Sequence, residues 1–330
     1  MRKALAVLLT PVLLLLLPAL VGLIIWRGRS YQRRAGRQPY TVPHQAQLEL
    51  YYTPLSLCSS KALLCLIESR LAFRGVELDI GHFGRFEQLS DQFLRMNPNA
   101  CVPVLVHAGH PVLESHDIIE YLSAQPGAGQ LLPQDHEGLA SMRYWSNTGS
   151  FVDMNSPVSE QLGAAIALLS SPLFAIDEYY MQLGTLLRAL PRHPQPKLVL
   201  LKIANWFFGP QRPPQPMLRE AVAALEDGLA AMARQLADGR LWLAGDGYSL
   251  ADVTWTANFA RLHLLGTLDH FLAPHPALRA YWQRLRDRPS YEQVFVEPLN
   301  RTAQMQRLQN VAAAAQRRCQ TEGVMGAYGL

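Results

Sequence analysis

Acidic residues are missing from the first 48 positions, where Arg2, Lys3, Arg27, Arg29, Arg33, Arg34 and Arg37 stand alone. These contribute +7, which leaves −3 of the chain's net +4 for everything after them. The bulk of the protein is therefore mildly acidic and lacks the basic stripe that nucleic-acid binding needs, so no nucleic-acid partner is expected. Cysteine is scarce: Cys58, Cys65, Cys101 and Cys319 are the only four in 330 residues. Their spacing suits neither a metal site nor a disulfide framework, so no metal is expected and a reducing compartment fits. No internal repeat is present. Lysine is as rare, four against 26 arginines, a bias that points to a GC-rich genome and a bacterial inner membrane.

Charge is absent again from Ala4 to Trp26, "ALAVLLTPVLLLLLPALVGLIIW". A helix of that length spans the roughly 30 Å hydrocarbon core at 1.5 Å per residue. Pro11 and Pro18 are tolerated in such a span, and Trp26 sits where an interfacial aromatic belongs. No small-x-small cleavage site precedes the arginines, which argues against a removable export signal. Two basic residues precede the span and five come after it, so the positive-inside rule places the globular mass in the cytoplasm. Residues 1–37 are thus expected to form a single-pass anchor with a basic flank, and 38–47 a short tether near a lipid bilayer.

From residue 48 the pattern takes α/β order. "LELYY" (Leu48–Tyr52) predicts a strand, 59–74 a helix stopped by Gly75, 76–80 a strand and 86–96 a short helix. Strands at 102–107 and 111–114, joined by a tight turn, lead to a helix from Ser115, with Ser115 as its N-cap. The order β-α-β-α-β-β-α over 48–124 implies an α/β unit with a mixed sheet. After a Gly/Pro linker at 125–135, strand patterns vanish. An all-helical domain is expected over 136–298, with a Pro-rich insertion at 191–216 and a tail at 299–330. Ser249-x-x-Asp252 is a capping box that opens one of these helices. The insertion contains "KLVLLKIANWFFG" (197–209), apolar on nearly every face; burial against the helical domain is favoured over a dip into the membrane interface.

Three places carry possible chemistry. Cys58 lies where a strand and loop give way to a helix, with Ser59, Ser60 and Lys61 next in line. A thiolate at a helix N-terminus gains from the dipole and free N–H groups, and Lys61 adds to this. A hydroxyl from Ser59 or Ser60, or plain capping, are the other readings. Pro103 inside "CVPVL" costs a ladder donor and suggests a cis bond after Val102, with the Val102 backbone free to pair with a bound peptide. Glu114 and Ser115 close a strand and open a helix, an arrangement that suits an ammonium beside a carboxylate. Cys65 is expected to pack, and so is Cys101, with a resolving thiol beside the site as its lesser reading.

Together these pieces resemble the glutathione transferase superfamily over about 48–298. "NPNACVPVLVHAGHPVLESHDIIEYL" is similar to its N-P-x-x-x-V-P-x-L and, further on, E-S-x-x-I-x-x-Y-L, and "WLAGDGYSLADVTW" to its helical-domain capping box. "LYYTPLSLCSSKALLCL" is most similar to the tetrachlorohydroquinone dehalogenases, the zeta class and the ganglioside-induced differentiation-associated members. Ala100-Cys101 stands where the family usually has Gly and a basic residue.

The resemblance implies a thioredoxin-like domain and then an all-helical domain, here preceded by one transmembrane helix. It implies that Val102, beside cis Pro103, pairs with the cysteinyl part of glutathione, that Glu114 and Ser115 hold its γ-glutamyl head, and that Cys58 or Ser59 is catalytic. The expected protein is a membrane-tethered, glutathione-dependent transferase or thiol reductase. It would act on apolar electrophiles or glutathionyl adducts, and a homodimer is compatible with it. The opposing reading is a non-catalytic scaffold or a glutathione-binding sensor.

Overall fold

The computed structural model describes Gly22, Trp26 and residues 31–80, 85–151, 160–171, 173, 182–208, 213–301 and 303–330. Among these no helix is long and apolar enough to cross a membrane. The span expected at 4–26 lies outside the described residues, apart from Gly22 and Trp26. The chain divides into two compact units, one of 36–77, 102–173 and 213–330, the other of 1–35, 78–101 and 174–212.

The first unit is built on a five-stranded sheet: β1 (Gly36–Arg37), β2 (Leu48–Tyr52), β3 (Arg74–Glu77), β4 (Val104–His107) and β5 (His110–Leu113), in the order β1-β5-β4-β2-β3. Only β2 and β3 run parallel; the other pairs are antiparallel. β2 is buried along most of its length, Glu49 included. That carboxylate is tolerated because it accepts from Gln45 N (2.7 Å), Ala46 N (3.0 Å) and the Tyr51 hydroxyl (2.8 Å), with Arg74 Nη1 at 3.3 Å. Burial, then the Glu49 carboxylate, push the Tyr51 phenol up to about 12.

No sequence pattern predicts β1. The edge of β5 presents unpaired backbone groups, and the chain covers it. Gly36 and Arg37 pair with Leu113 and Val112, Gln38 N donates to Pro111 O (2.7 Å), and Val42 N to Gly109 O (2.8 Å). The end of the expected basic flank, Gly36–Arg37, is thus an edge strand, and Gln38 and Val42 of the expected tether bond to β5 and its turn.

Helix α1 (Leu57–Ser69) comes after β2, beginning two residues earlier than its sequence pattern suggests. It ends because Arg70 turns left-handed (φ 56°) and its N–H closes on Ile67 O; Gly75, the expected stop, lies inside β3. In the second unit, the expected helix at 86–96 resolves into a 3-10 turn, Glu87–Leu89, and helix α2 (Asp91–Met96), capped by Ser90. Helix α3 (Ser115–Ser123) closes the α/β half.

The all-helical half holds as expected, with α4 (His136–Thr148), α5 (Leu162–Leu169), α6 (Leu183–Ala189), α7 (Pro196–Phe208), α8 (Gln215–Leu236), α9 (Leu250–Leu264), α10 (Leu268–Leu272) and α11 (Pro276–Arg286). The tail is not loose. Ala303–Tyr328 forms helix α12, broken at Gly323, and buries Met305, Ala312, Cys319, Val324 and Tyr328.

A continuous core joins both halves of the first unit, from Leu48 and Leu64 to Trp255 and Tyr281. Two of its indoles are hydrogen-bonded: Trp145 Nε1 donates to Gln235 Oε1 and Trp255 Nε1 to Trp145 O, each at 2.9 Å. The capping box is present as its motif predicts. Asp252 is fully buried and accepts from Ser249 N (2.8 Å), Leu243 N (3.0 Å) and the Tyr281 hydroxyl (2.7 Å).

In the second unit α7 buries Val199 and packs Ile203 and Trp206 against Leu186, Ala189, Leu89 and Ala100. Its other face exposes Leu198 and Leu201. The apolar helix of the Pro-rich insertion is thus covered on one face by residues of its own unit.

Candidate active site

Sheet register brings the three candidate stretches to one end of the sheet. Tyr51, next to last in β2, is paired with Val104, the first residue of β4, and Val104 with Leu113, the last of β5. The residues just beyond this rung are Thr53–Cys58, Val102-Pro103 and Glu114-Ser115. The Val102–Pro103 peptide is cis, as its motif predicts. Val102 is half-buried, and among the described residues its N–H and C=O make no hydrogen bond within the protein. Glu114 turns the chain from β5 into α3 at φ 71°, ψ 128°, backbone space that a non-glycine residue rarely occupies. Glu114, not Ser115, is therefore the N-cap. Ser115 is the first helical residue, buried, at the positive end of α3.

Thr53 to Ser56 form a turn, with Ser56 N donating to Thr53 O (3.1 Å). Ser56 caps α1, its hydroxyl accepting from Ser59 N at 3.2 Å. Cys58 sits in the first turn of α1, half-buried, next to the free N–H groups and the positive dipole end. Ser59 points inward. It is fully buried, and its hydroxyl accepts from Thr53 N at 3.3 Å. The half-exposed hydroxyl in this turn is Ser56, which is absent from the residues the sequence singles out. A local signal does mark it: a Ser directly before an apolar helical run is a strong N-cap pattern. As an acceptor from Ser59 N, Ser56 keeps its own proton to donate.

Two cations face this turn. Lys61 is buried and donates from Nζ to Ser150 Oγ at 3.0 Å. Burial holds its ammonium below the usual lysine value, while Cys58, Cys65, Glu114 and Asp117 pull it the other way. Arg261, from α9, donates from Nη2 to Leu55 O (2.5 Å) and from Nη1 to Ser170 Oγ (3.3 Å). Burial brings its guanidinium down to about 10, opposed by Cys58. No sequence pattern marks Arg261; only the packing of α9 on α1 brings it here.

The remaining thiols divide. Cys65 is fully buried, and burial pushes it up to about 12, which makes it an inert core residue. Cys101 is exposed, contrary to its expected packing role, with Sγ 3.2 Å from Asn99 O. The turn holds it outward, since Asn97 Nδ2 donates to Cys101 O at 2.7 Å. None of the four cysteines forms a disulfide among the described residues. A cavity of about 360 Å³ opens beside α1, walled by Leu55, Leu57, Ser60, Arg261, Phe295 and Ala313 among others.

Two domain models match: "Glutathione S-transferase, N-terminal domain" over 55–125 and "Glutathione S-transferase, C-terminal domain" over 215–284. The chain is 30% identical over 257 residues to Protein LigF of Sphingobium sp. strain SYK-6, covering 75% of this chain and 93% of that protein. It is 26% identical to the tetrachloro-p-hydroquinone reductive dehalogenase of Sphingobium chlorophenolicum, covering 76% and 97%. The crystal structure of the β-etherase LigF superposes with a TM-score of 0.60 at 28% identity, over 76% of this chain and 99% of that one. With the sheet order, the cis proline and the capping box in place, the chain belongs to the glutathione S-transferase family of enzymes.

Proposed function

We propose that the protein is a glutathione-dependent transferase or thiol reductase, tethered to a membrane by 4–26 and acting on apolar electrophiles or glutathionyl adducts. One observation carries this reading: a half-exposed Cys58 at the start of α1 shares one end of the sheet with cis Val102–Pro103 and with Glu114–Ser115. In this reading the Val102 backbone pairs with the cysteinyl unit of glutathione. The Glu114 carboxylate takes the γ-glutamyl ammonium, and the α3 N-terminus at Ser115 takes the carboxylate. The Cys58 thiolate attacks the glutathionyl sulfur of a mixed disulfide, forming a Cys58–glutathione disulfide and expelling the other thiolate. A second glutathione thiolate then attacks that disulfide, releasing oxidised glutathione and regenerating Cys58. In conjugation, Ser56 donates a hydrogen bond to the thiolate of bound glutathione, a role that the sequence alone assigns to Ser59.

The anchor and the cytoplasmic address rest on the uncharged run and its flanking arginines. Protease added to inside-out bacterial membrane vesicles should remove the globular part; protection there reverses the orientation. For the site, the full chain should be retained on glutathione resin, and Glu114→Gln should weaken glutathione binding by roughly tenfold or more. Failure of the wild-type chain to bind glutathione would sink the catalytic reading.

A further inference from the structure

The cavity beside α1 is mostly carbon, with Leu57, Ala257, Val294 and Phe295 in its wall. Two cations line it, Arg261 and Arg286, with His263, which burial and Arg286 hold below the ordinary imidazole value, and no aspartate or glutamate among the described residues. His263 and Arg286 are exposed, where water screens them. Arg261 is not. Its two hydrogen-bond acceptors, Leu55 O and Ser170 Oγ, are both neutral, and no carboxylate among the described residues pairs with it. A guanidinium carries five N–H donors in a planar fork, so N–H groups remain for another acceptor. A cation partly withdrawn from water, with only neutral acceptors, gains from an anionic partner. The site thus combines an apolar chamber, a rim without a described carboxylate and a half-buried cation with donors to spare.

We propose that this cavity binds a small aromatic anion, a phenolate or aryl carboxylate, with its ring against Leu57, Val294 and Phe295 and its oxygen on Arg261. A chamber of about 360 Å³ lies at the small end of ligand sites and suits one or two rings. Arg261 then acts as a specificity-determining residue: the fork that pins Leu55, three residues before Cys58, also reads the charge of the acceptor. This deepens the proposed function and rests on it, for it assigns a charge to the molecule that meets glutathione.

The test uses fluorine NMR on the full chain in detergent, without glutathione. The probes are pentafluorophenol, ionised at neutral pH, and its neutral methyl ether. The phenolate should bind at least tenfold more tightly than the ether. Arg261→Gln should remove that preference by weakening the phenolate alone, and Arg261→Lys should restore part of it. Ala313→Trp, which fills the chamber from α12 without altering charge, should abolish binding of both probes. Equal binding of the two probes to the wild-type chain overturns the proposal. So does a phenolate that binds Ala313→Trp unchanged. If Arg261→Gln does not fold, the wild-type preference and Ala313→Trp decide between these outcomes. Glutathione-resin retention separates the two readings: its loss with the phenolate preference intact overturns the glutathione-dependent function and supports the anion site.

Discussion

Lys61 Nζ donates to Ser150 Oγ at 3.0 Å, and Ser150 Oγ lies 3.2 Å from His116 Nδ1. One buried ammonium on α1 thus meets, through one hydroxyl, a histidine in the first turn of α3. Burial first, and then the Lys61 charge, hold His116 down at about 4. The folded value lies below the ordinary 6.5, so the folded protein prefers neutral His116.

Stability from this group is therefore complete above pH 6.5 and is lost as pH falls toward 4. The gap corresponds to about 3 kcal/mol at full protonation. His116→Asn should flatten the denaturant midpoint between neutral and mildly acidic pH by a good part of that amount. An unchanged acid slope in the variant would show that other groups set it.

Asp252 organises the start of α9 with four donors: Ser249 N, Ser249 Oγ, Leu243 N and the Tyr281 hydroxyl. Its removal strands buried donors, so Asp252→Ala should cost about 3–5 kcal/mol and lower the melting temperature sharply. Asp252→Asn keeps the shape and should cost less. Equal melting temperatures for Asp252→Ala and the wild-type chain would contradict this account.

Arg288 grips Glu68 of α1 with two bonds, Nε to Oε1 at 2.8 Å and Nη2 to Oε2 at 2.5 Å, and Ser290 donates to the same carboxylate. Its guanidinium also lies 3.8 Å from the Tyr248 ring centre. Lysine can reproduce neither the fork nor the stacking. Arg288→Lys is expected to lose about 1–2 kcal/mol in urea unfolding, most of what Arg288→Ala loses. A lysine variant as stable as wild type would reduce this contact to a simple charge pair.

Much of the fold is legible in the sequence because its signals are local. Hydrophobic period marks β2 and α1, Ser249-x-x-Asp252 marks α9, and "CVPVL" marks the cis bond. The hidden parts depend on long-range pairing. Gly36–Arg37 reads as basic flank until the open edge of β5 is seen beside it. The tail at 299–330 has weak amphipathic contrast, yet α12 buries Cys319 and Tyr328 against the core. Arg261 is one arginine among 26; its place at the Leu55 carbonyl is fixed only by α9 lying on α1. Ser56 carries a legible N-cap signal, but the cysteine two residues on outweighs it in a reading for chemistry.

The division of labour among Cys58, Ser56 and Ser59 is open to a direct kinetic test, because the three side chains differ in exposure and bonding. Cys58→Ser removes the sulfur nucleophile and should lower reduction of hydroxyethyl disulfide by at least ~100-fold, while conjugation of chlorodinitrobenzene persists. Ser56→Ala removes a donor to the glutathione thiolate and should lower conjugation by roughly 10-fold, with about 1 kcal/mol of stability lost along with the N-cap. Ser59→Ala should do the reverse. Its hydroxyl is buried on the Thr53 amide, so about 1–3 kcal/mol of stability should go while kcat/KM stays within a factor of roughly two. A large catalytic loss in Ser59→Ala with little loss of stability would return the hydroxyl role to that residue. Intact disulfide reduction in Cys58→Ser would end the thiol mechanism.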